Sequence, residues 1–163
     1  MKRTGAILLV GLVAIALGGV ALAGLSRNYS VHLTGAQELP VAIDTGAQGQ
    51  AIFHLSKDGT SISYKLITAN IVDVTQAHIH VVRLPNGTGP ITVWLYPSAP
   101  PLQLIPGRSD GVLAEGTFTA ADLVGPLAGG SLEDLLEEIA AGTAYVNVHT
   151  LANPPGEIRG DLP

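Results

Sequence analysis

The sequence contains no cysteine. Disulfide cross-links, a thiolate nucleophile and a soft thiolate metal ligand are therefore excluded, and so is lipid modification at an export signal. Charge is scarce. Asp, Glu, Lys and Arg make up 13% of the 163 residues, and 13 acidic residues outnumber 8 basic ones. Nucleic acids and anionic membrane surfaces select basic patches, so neither is expected as a partner. Aromatic residues are equally few, with one Trp and two Phe. Folding must rest on burial of Val, Ile and Leu, each worth about 1.5–3 kcal/mol when taken fully out of water. Several enzyme signatures are missing too: there is no Gly-x-Ser-x-Gly elbow and no phosphate-cradling glycine loop. Glu133, Asp134, Glu137 and Glu138 read as the solvated face of a helix, not as a catalytic carboxylate pair.

The one long apolar run lies at the N-terminus. Met1-Lys2-Arg3 is basic, Ala6 to Val20 holds only Ala, Gly, Ile, Leu and Val, and Ala21-Leu22-Ala23 offers a small-x-small cleavage site. Residues 1–23 are thus predicted to be a secretory signal peptide, and residues 24–163 a single exported domain. The alternative is retention as an uncleaved anchor, since about 20 apolar residues span a bilayer. That anchor is the only membrane association expected. Without Lys2 and Arg3, six basic residues face thirteen acidic ones, a net charge of −7. The expected location is secreted, periplasmic or on the cell envelope.

The remainder alternates polar and apolar residues in short runs. Val31-His32-Leu33, Gln50 to Ser56, Thr60 to Thr68, Gln76 to Arg83, Ile91 to Tyr96 and Val112 to Thr119 all read as strands. Lys57-Asp58-Gly59 and Pro85 to Gly89 are turns. Gly35 to Gly49 and Pro97 to Gly111 read as loops, because proline and glycine interrupt them. Ser131 to Ala141 is the one clear helix: Ser131 is its N-cap, Leu132, Leu135, Leu136 and Ile139 form an apolar stripe, and Gly142 ends it. Short strands separated by turn signals predict an all-β fold, an antiparallel β-sandwich or barrel (immunoglobulin-like, or a Greek key like that of copper/zinc superoxide dismutase) with one short helical insertion.

The densest chemistry lies near the C-terminus. Tyr145, Asn147 and His149 alternate with Val146 and Val148, a turn follows at Asn153 to Gly156, and Glu157 and Arg159 then flank Ile158. The segment predicts a hairpin whose polar face carries His149, Glu157 and Arg159. His78 and His80, two apart on another strand, leave one face about 7 Å apart. If those strands are neighbours, His78, His80 and His149 converge as candidate ligands for copper or zinc, with Glu157 or Arg159 orienting them. The competing reading is a hydrogen-bond and ion-pair network that only sets strand register. His32 and His54 read as exposed, with His54 a distant fourth ligand. Glu38 reads as a loop carboxylate that accepts backbone N–H bonds, with a catalytic carboxylate as the lesser alternative. Trp94 and Tyr96 read as ordinary sheet surface, with an exposed aromatic binding face as the lesser alternative.

Four stretches carry a family resemblance: Leu33-Thr-Gly-Ala-Gln-Glu-Leu-Pro40, Ala77-His-Ile-His80, Gly111-Val-Leu-Ala-Glu-Gly-Thr-Phe-Thr-Ala-Ala-Asp-Leu123, and Ala144 to Leu162. Through them the chain resembles the CHRD (chordin) domain family. The resemblance implies an extracytoplasmic all-β domain of the kind found alone in bacterial secreted proteins. In chordin the domain accompanies cysteine-rich growth-factor-binding modules; none exists here, so that activity is not carried over. The His-x-His strand is also similar to the copper-ligand strand of copper/zinc superoxide dismutase. No bridging histidine, zinc loop or disulfide accompanies it. Three functions follow as expectations: a non-enzymatic binding or structural module with a histidine-held copper, a copper-dependent redox enzyme of superoxide-dismutase type, and a metal-free protein–protein interaction module.

Overall fold

The computed structural model describes residues 26–163. The predicted signal peptide or anchor, residues 1–23, lies outside the described residues. Seven strands form one antiparallel system: β1 (Asn28–Thr34), β2 (Gln48–Leu55), β3 (Ser61–Val81), β4 (Ile91–Tyr96), β5 (Ile105–Thr119), β6 (Ala144–Thr150) and β7 (Ile158–Asp161). The pairings β2–β1–β7–β6–β3–β2 close on themselves, so the fold is a closed five-stranded barrel with β4 and β5 added along β3. This is the all-β sandwich or barrel that the alternation predicts. Among the described residues, no helix is long and apolar enough to cross a membrane.

β3 organises the barrel. One edge takes β2 and then β6, and the other takes β5 and then β4. The sequence suggested two strands here, Thr60 to Thr68 and Gln76 to Arg83. The structure joins them, because pairing with β5 carries the backbone through the irregular middle. Asn70 and Asp73 adopt left-handed φ values of 60° and 54°, which Asn and Asp tolerate better than other side chains. Each break is held by a bond to β5: the Asn70 N–H donates to Asp110 Oδ1 at 2.7 Å, and the Gly107 N–H donates to Asp73 Oδ1 at 2.6 Å. The same pairing starts β5 at Ile105, inside the stretch expected to be irregular. Its glycines Gly107 and Gly111 take positive φ where the register shifts.

The helix α1 (Leu132–Ala140) starts with a capping box between Ser131 and Asp134 and buries Leu132, Leu135, Leu136 and Ile139 against the core. The core is otherwise aliphatic, with Leu33, Leu66, Ile79, Val93, Val146, Val148 and Ile158 inside.

One feature of this packing positions the site. All seven residues of β6 are buried. On one face Val146 and Val148 pair with Ile79 and Ala77 in the core; on the other, Tyr145 and Asn147 pair with His80 and His78. A strand exposed on neither side is normally apolar throughout. Here the second face is polar, and it is covered by the Gly35 to Ala47 loop, the Val82 to Pro90 loop and the Leu151 to Glu157 turn.

Candidate metal centre

His78 and His80 stand on the C-terminal half of β3, and His149 stands near the end of β6. Antiparallel pairing sets Gln76 opposite His149 and His78 opposite Asn147, which brings the three rings onto one covered sheet face. Their exposures are 0%, 7% and 5%. Ring centroids are 5.3 Å apart for His78 and His80, 5.0 Å for His78 and His149, and 5.7 Å for His80 and His149. One nitrogen from each ring lies within 4.8 Å of the other two. His32 and His54 stay apart: both are exposed, and the His54 ring bonds Asn28 on the barrel's outer surface.

Backbone carbonyls assign the tautomers. Gly89 O lies 2.9 Å from His80 Nδ1, and Pro154 O lies 2.9 Å from His149 Nδ1. A carbonyl only accepts, so both rings donate an Nδ1–H and keep a lone pair on Nε2. His149 Nε2 is 3.1 Å from His78 Nδ1; as it is an acceptor, His78 donates from Nδ1 and keeps its own lone pair on Nε2. Two buried lone pairs, His78 Nε2 and His80 Nε2, have no partner among the described residues. Leaving a buried polar atom unpaired costs about 1–3 kcal/mol. A ring fixed by a carbonyl on one nitrogen and bare on the other is the arrangement in which histidine ligates metals. The donors fit the size of an ion as well. Bonds of about 2.0–2.1 Å place three ligand nitrogens roughly 3.4 Å apart, so the nitrogens, which lie within 4.8 Å of one another, must draw together by up to about 1.4 Å.

The surroundings oppose positive charge on the rings. Burial, with the neighbouring His149 and His80 rings adding to it, pushes the His78 pKa down to about 2. Burial also lowers His80 to about 4 despite its bond to Gly89, and it lowers His149. All three are neutral at pH 7, the state that binds metal.

Two residues that sequence reasoning left outside the site belong to it. Tyr145 stacks flat on His80, with centroids 4.9 Å apart and planes 7° apart, and its hydroxyl accepts from the Gly89 N–H at 3.1 Å. Trp94 meets His78 edge-on at 4.3 Å. Cross-strand pairing places both: His80 opposes Tyr145, and His78 opposes Trp94. The period-two pattern already put Tyr145 on the face of His149, but which ring it would meet depended on register.

The expectation that Glu157 or Arg159 orients the histidines is corrected. Neither bonds a histidine. Glu157 accepts from Thr45 Oγ1, Thr150 Oγ1 and Asn153 Nδ2 at 2.8, 2.7 and 3.2 Å, so it ties the final turn to the loop that precedes β2. Arg159 bonds Asp161 and Gly87 O, and its guanidinium lies 3.7 Å from the Tyr145 ring centroid. The hairpin's polar face is covered by loops, and there main-chain carbonyls reach the imidazoles first. Glu38 accepts a backbone hydrogen bond at Leu39, as expected of a loop carboxylate, and does more. It is buried, and both its oxygens accept from Asn147 Nδ2 at 3.1 Å. Burial raises its pKa to about 7, against the opposing Asn147 bond and Arg159 charge.

The family model of the CHRD domain matches residues 29–162. No curated protein and no solved structure matches the chain.

Proposed function

We propose that this chain, which belongs to the CHRD domain family, is an exported binding module that holds one transition-metal ion, copper, between His78, His80 and His149. The observation that carries the proposal is the pair of unpartnered Nε2 lone pairs on two buried imidazoles, beside a third imidazole whose Nε2 meets only another ring. A structural network would have closed those valences, because buried polar groups in folded proteins are almost always paired. The Glu157 cluster, with its three hydroxyl and amide donors, shows what a closed network looks like in this same fold.

Imidazole donors suit copper and zinc, and affinity along the divalent series peaks at copper. The rings are at most 7% exposed, which favours holding an ion over turnover at it. The barrel supplies rigidity, because the ligands sit on paired strands and not on loops.

The test is loading. Protein stripped with chelator, exposed to copper and desalted, is expected to retain one equivalent by elemental analysis. The double variant His78→Ala/His80→Ala is expected to retain none. Equal retention by the double variant would remove His78 and His80 from the site.

A further inference from the structure

Resting on the copper-site reading above, we infer that the site is built for monovalent copper, Cu(I), and discriminates against Cu(II) and Zn(II) by charge. The donor set is three neutral imidazole nitrogens, with no carboxylate or thiolate among them. An ion bound there keeps its full charge in a buried space. The cost of burying an ion grows with the square of its charge, so a dication is penalised far more than a monocation unless anions compensate.

The charged groups around the cluster do not compensate. Arg159 is 2% exposed, and its guanidinium covers the face of Tyr145, whose ring stacks on His80. A fixed positive charge therefore stands one ring away from a ligand. Its partner Asp161 is largely solvated and contributes a screened charge. Glu157 is buried but is engaged by Thr45, Thr150 and Asn153, not by a histidine. Glu38 bonds Asn147.

Coordination number points the same way. Among the described residues, the candidate metal-ligand group contains three side chains and no fourth. Trp94 and Tyr145 wall the His78 and His80 rings with aromatic surface. Cu(I) is satisfied by few ligands, whereas Zn(II) and Cu(II) call for a fourth, usually water or an acidic oxygen, from a wetter site. The only change between the two copper states is one electron, Cu(II) + e⁻ → Cu(I). A tenfold tighter grip on Cu(I) raises the copper potential by about 59 mV.

The test measures three affinities on the full chain: Cu(I) anaerobically, in reductant, against a chromophoric Cu(I) chelator; Cu(II) and Zn(II) separately, against chelators of known strength. Cu(I) is expected to bind with one-to-one stoichiometry and more than tenfold tighter than either dication. Arg159→Gln is expected to narrow the Cu(I)-to-Cu(II) ratio, and Arg159→Lys, which keeps the charge, to retain most of it. Cu(II) or Zn(II) binding as tightly as Cu(I) in the unmutated chain would overturn the inference while leaving a metal site in place. Failure of all three ions to bind would instead remove the metal site itself.

Discussion

His78 Nδ1 and His149 Nε2 lie 3.1 Å apart although 71 residues separate them in sequence. That contact exists only if β3 and β6 pair in the observed register, and it carries a pH signature. Burial lowers the folded-state pKa of His78 and His80 to about 2 and 4, and it lowers that of His149. In the unfolded chain these rings titrate near 6.5. The unfolded state thus binds more protons below that value, so the stability these rings contribute is present above about pH 6.5 and lost as pH falls toward the folded values. Glu38 acts in the opposite sense. Its folded pKa is raised to about 7, so its contribution is full below its unfolded value and is lost as pH rises through 7. Three rings outweigh one carboxyl. Metal-free protein is expected to be most stable near neutrality and to lose about 2 kcal/mol for each of His78 and His80 by pH 5, with His149 adding in the same direction. Urea unfolding across pH 5 to 8 checks this, and Glu38→Gln is expected to steepen the acid loss.

Trp94 is the only tryptophan in the chain, and it touches His78 at 4.3 Å between centroids. Its emission should report occupancy of the site. Copper added to metal-free protein is expected to quench most of that emission with a one-to-one endpoint. The double variant His78→Ala/His80→Ala is expected to show no saturable quench in the same titration.

Tyr145 supports His80 from one side and carries Arg159 on the other. Tyr145→Ala is expected to cost about 3–5 kcal/mol, the range for losing a buried ring. Tyr145→Phe keeps the stack and loses only the hydroxyl that accepts from the Gly89 N–H, at about 1 kcal/mol. Denaturant midpoints measured side by side distinguish packing from hydrogen bonding as the larger contribution.

Gly89 packs tightly against the end of β3. A Cβ there would lie 1.8 Å from the Val81 carbonyl oxygen, so the loop must move to admit one. Its own carbonyl is what holds His80 Nδ1. Gly89→Ala is therefore expected to weaken copper binding about 10–100-fold, the usual effect of losing an orienting partner. Isothermal titration on the folded fraction measures it. Ser131→Ala provides the contrast: it removes the cap of α1 at about 1 kcal/mol and is expected to leave copper affinity unchanged.

Much of the fold was legible because period-two alternation and turn chemistry are local signals. β1, β2, β4, the Asp58-Gly59 turn and the capped helix could all be read directly. The middle of β3 could not. Asn70 and Asp73 break the alternation, and only pairing with β5 keeps the strand continuous. For the site, the residue types His78, His80 and His149 were legible because three imidazoles on strand faces are rare in so weakly charged a chain. Their partners were not. Glu157 and Arg159 looked like orienting groups because they share the hairpin, yet Gly89 and Pro154 supply the acceptors through main-chain oxygens, which no side-chain pattern encodes. Glu38 read as a loop carboxylate bonded to nearby backbone, and its burial against Asn147 was not legible because it depends on a loop folding over β6.

X-ray absorption at the copper edge of the loaded protein tests the central claim most directly. Three imidazole nitrogens at about 2.0 Å with outer-shell scattering from their rings, and no copper edge above background in His78→Ala/His80→Ala, is the predicted result. A spectrum fitted by oxygen donors, or one unchanged by the double substitution, would contradict it.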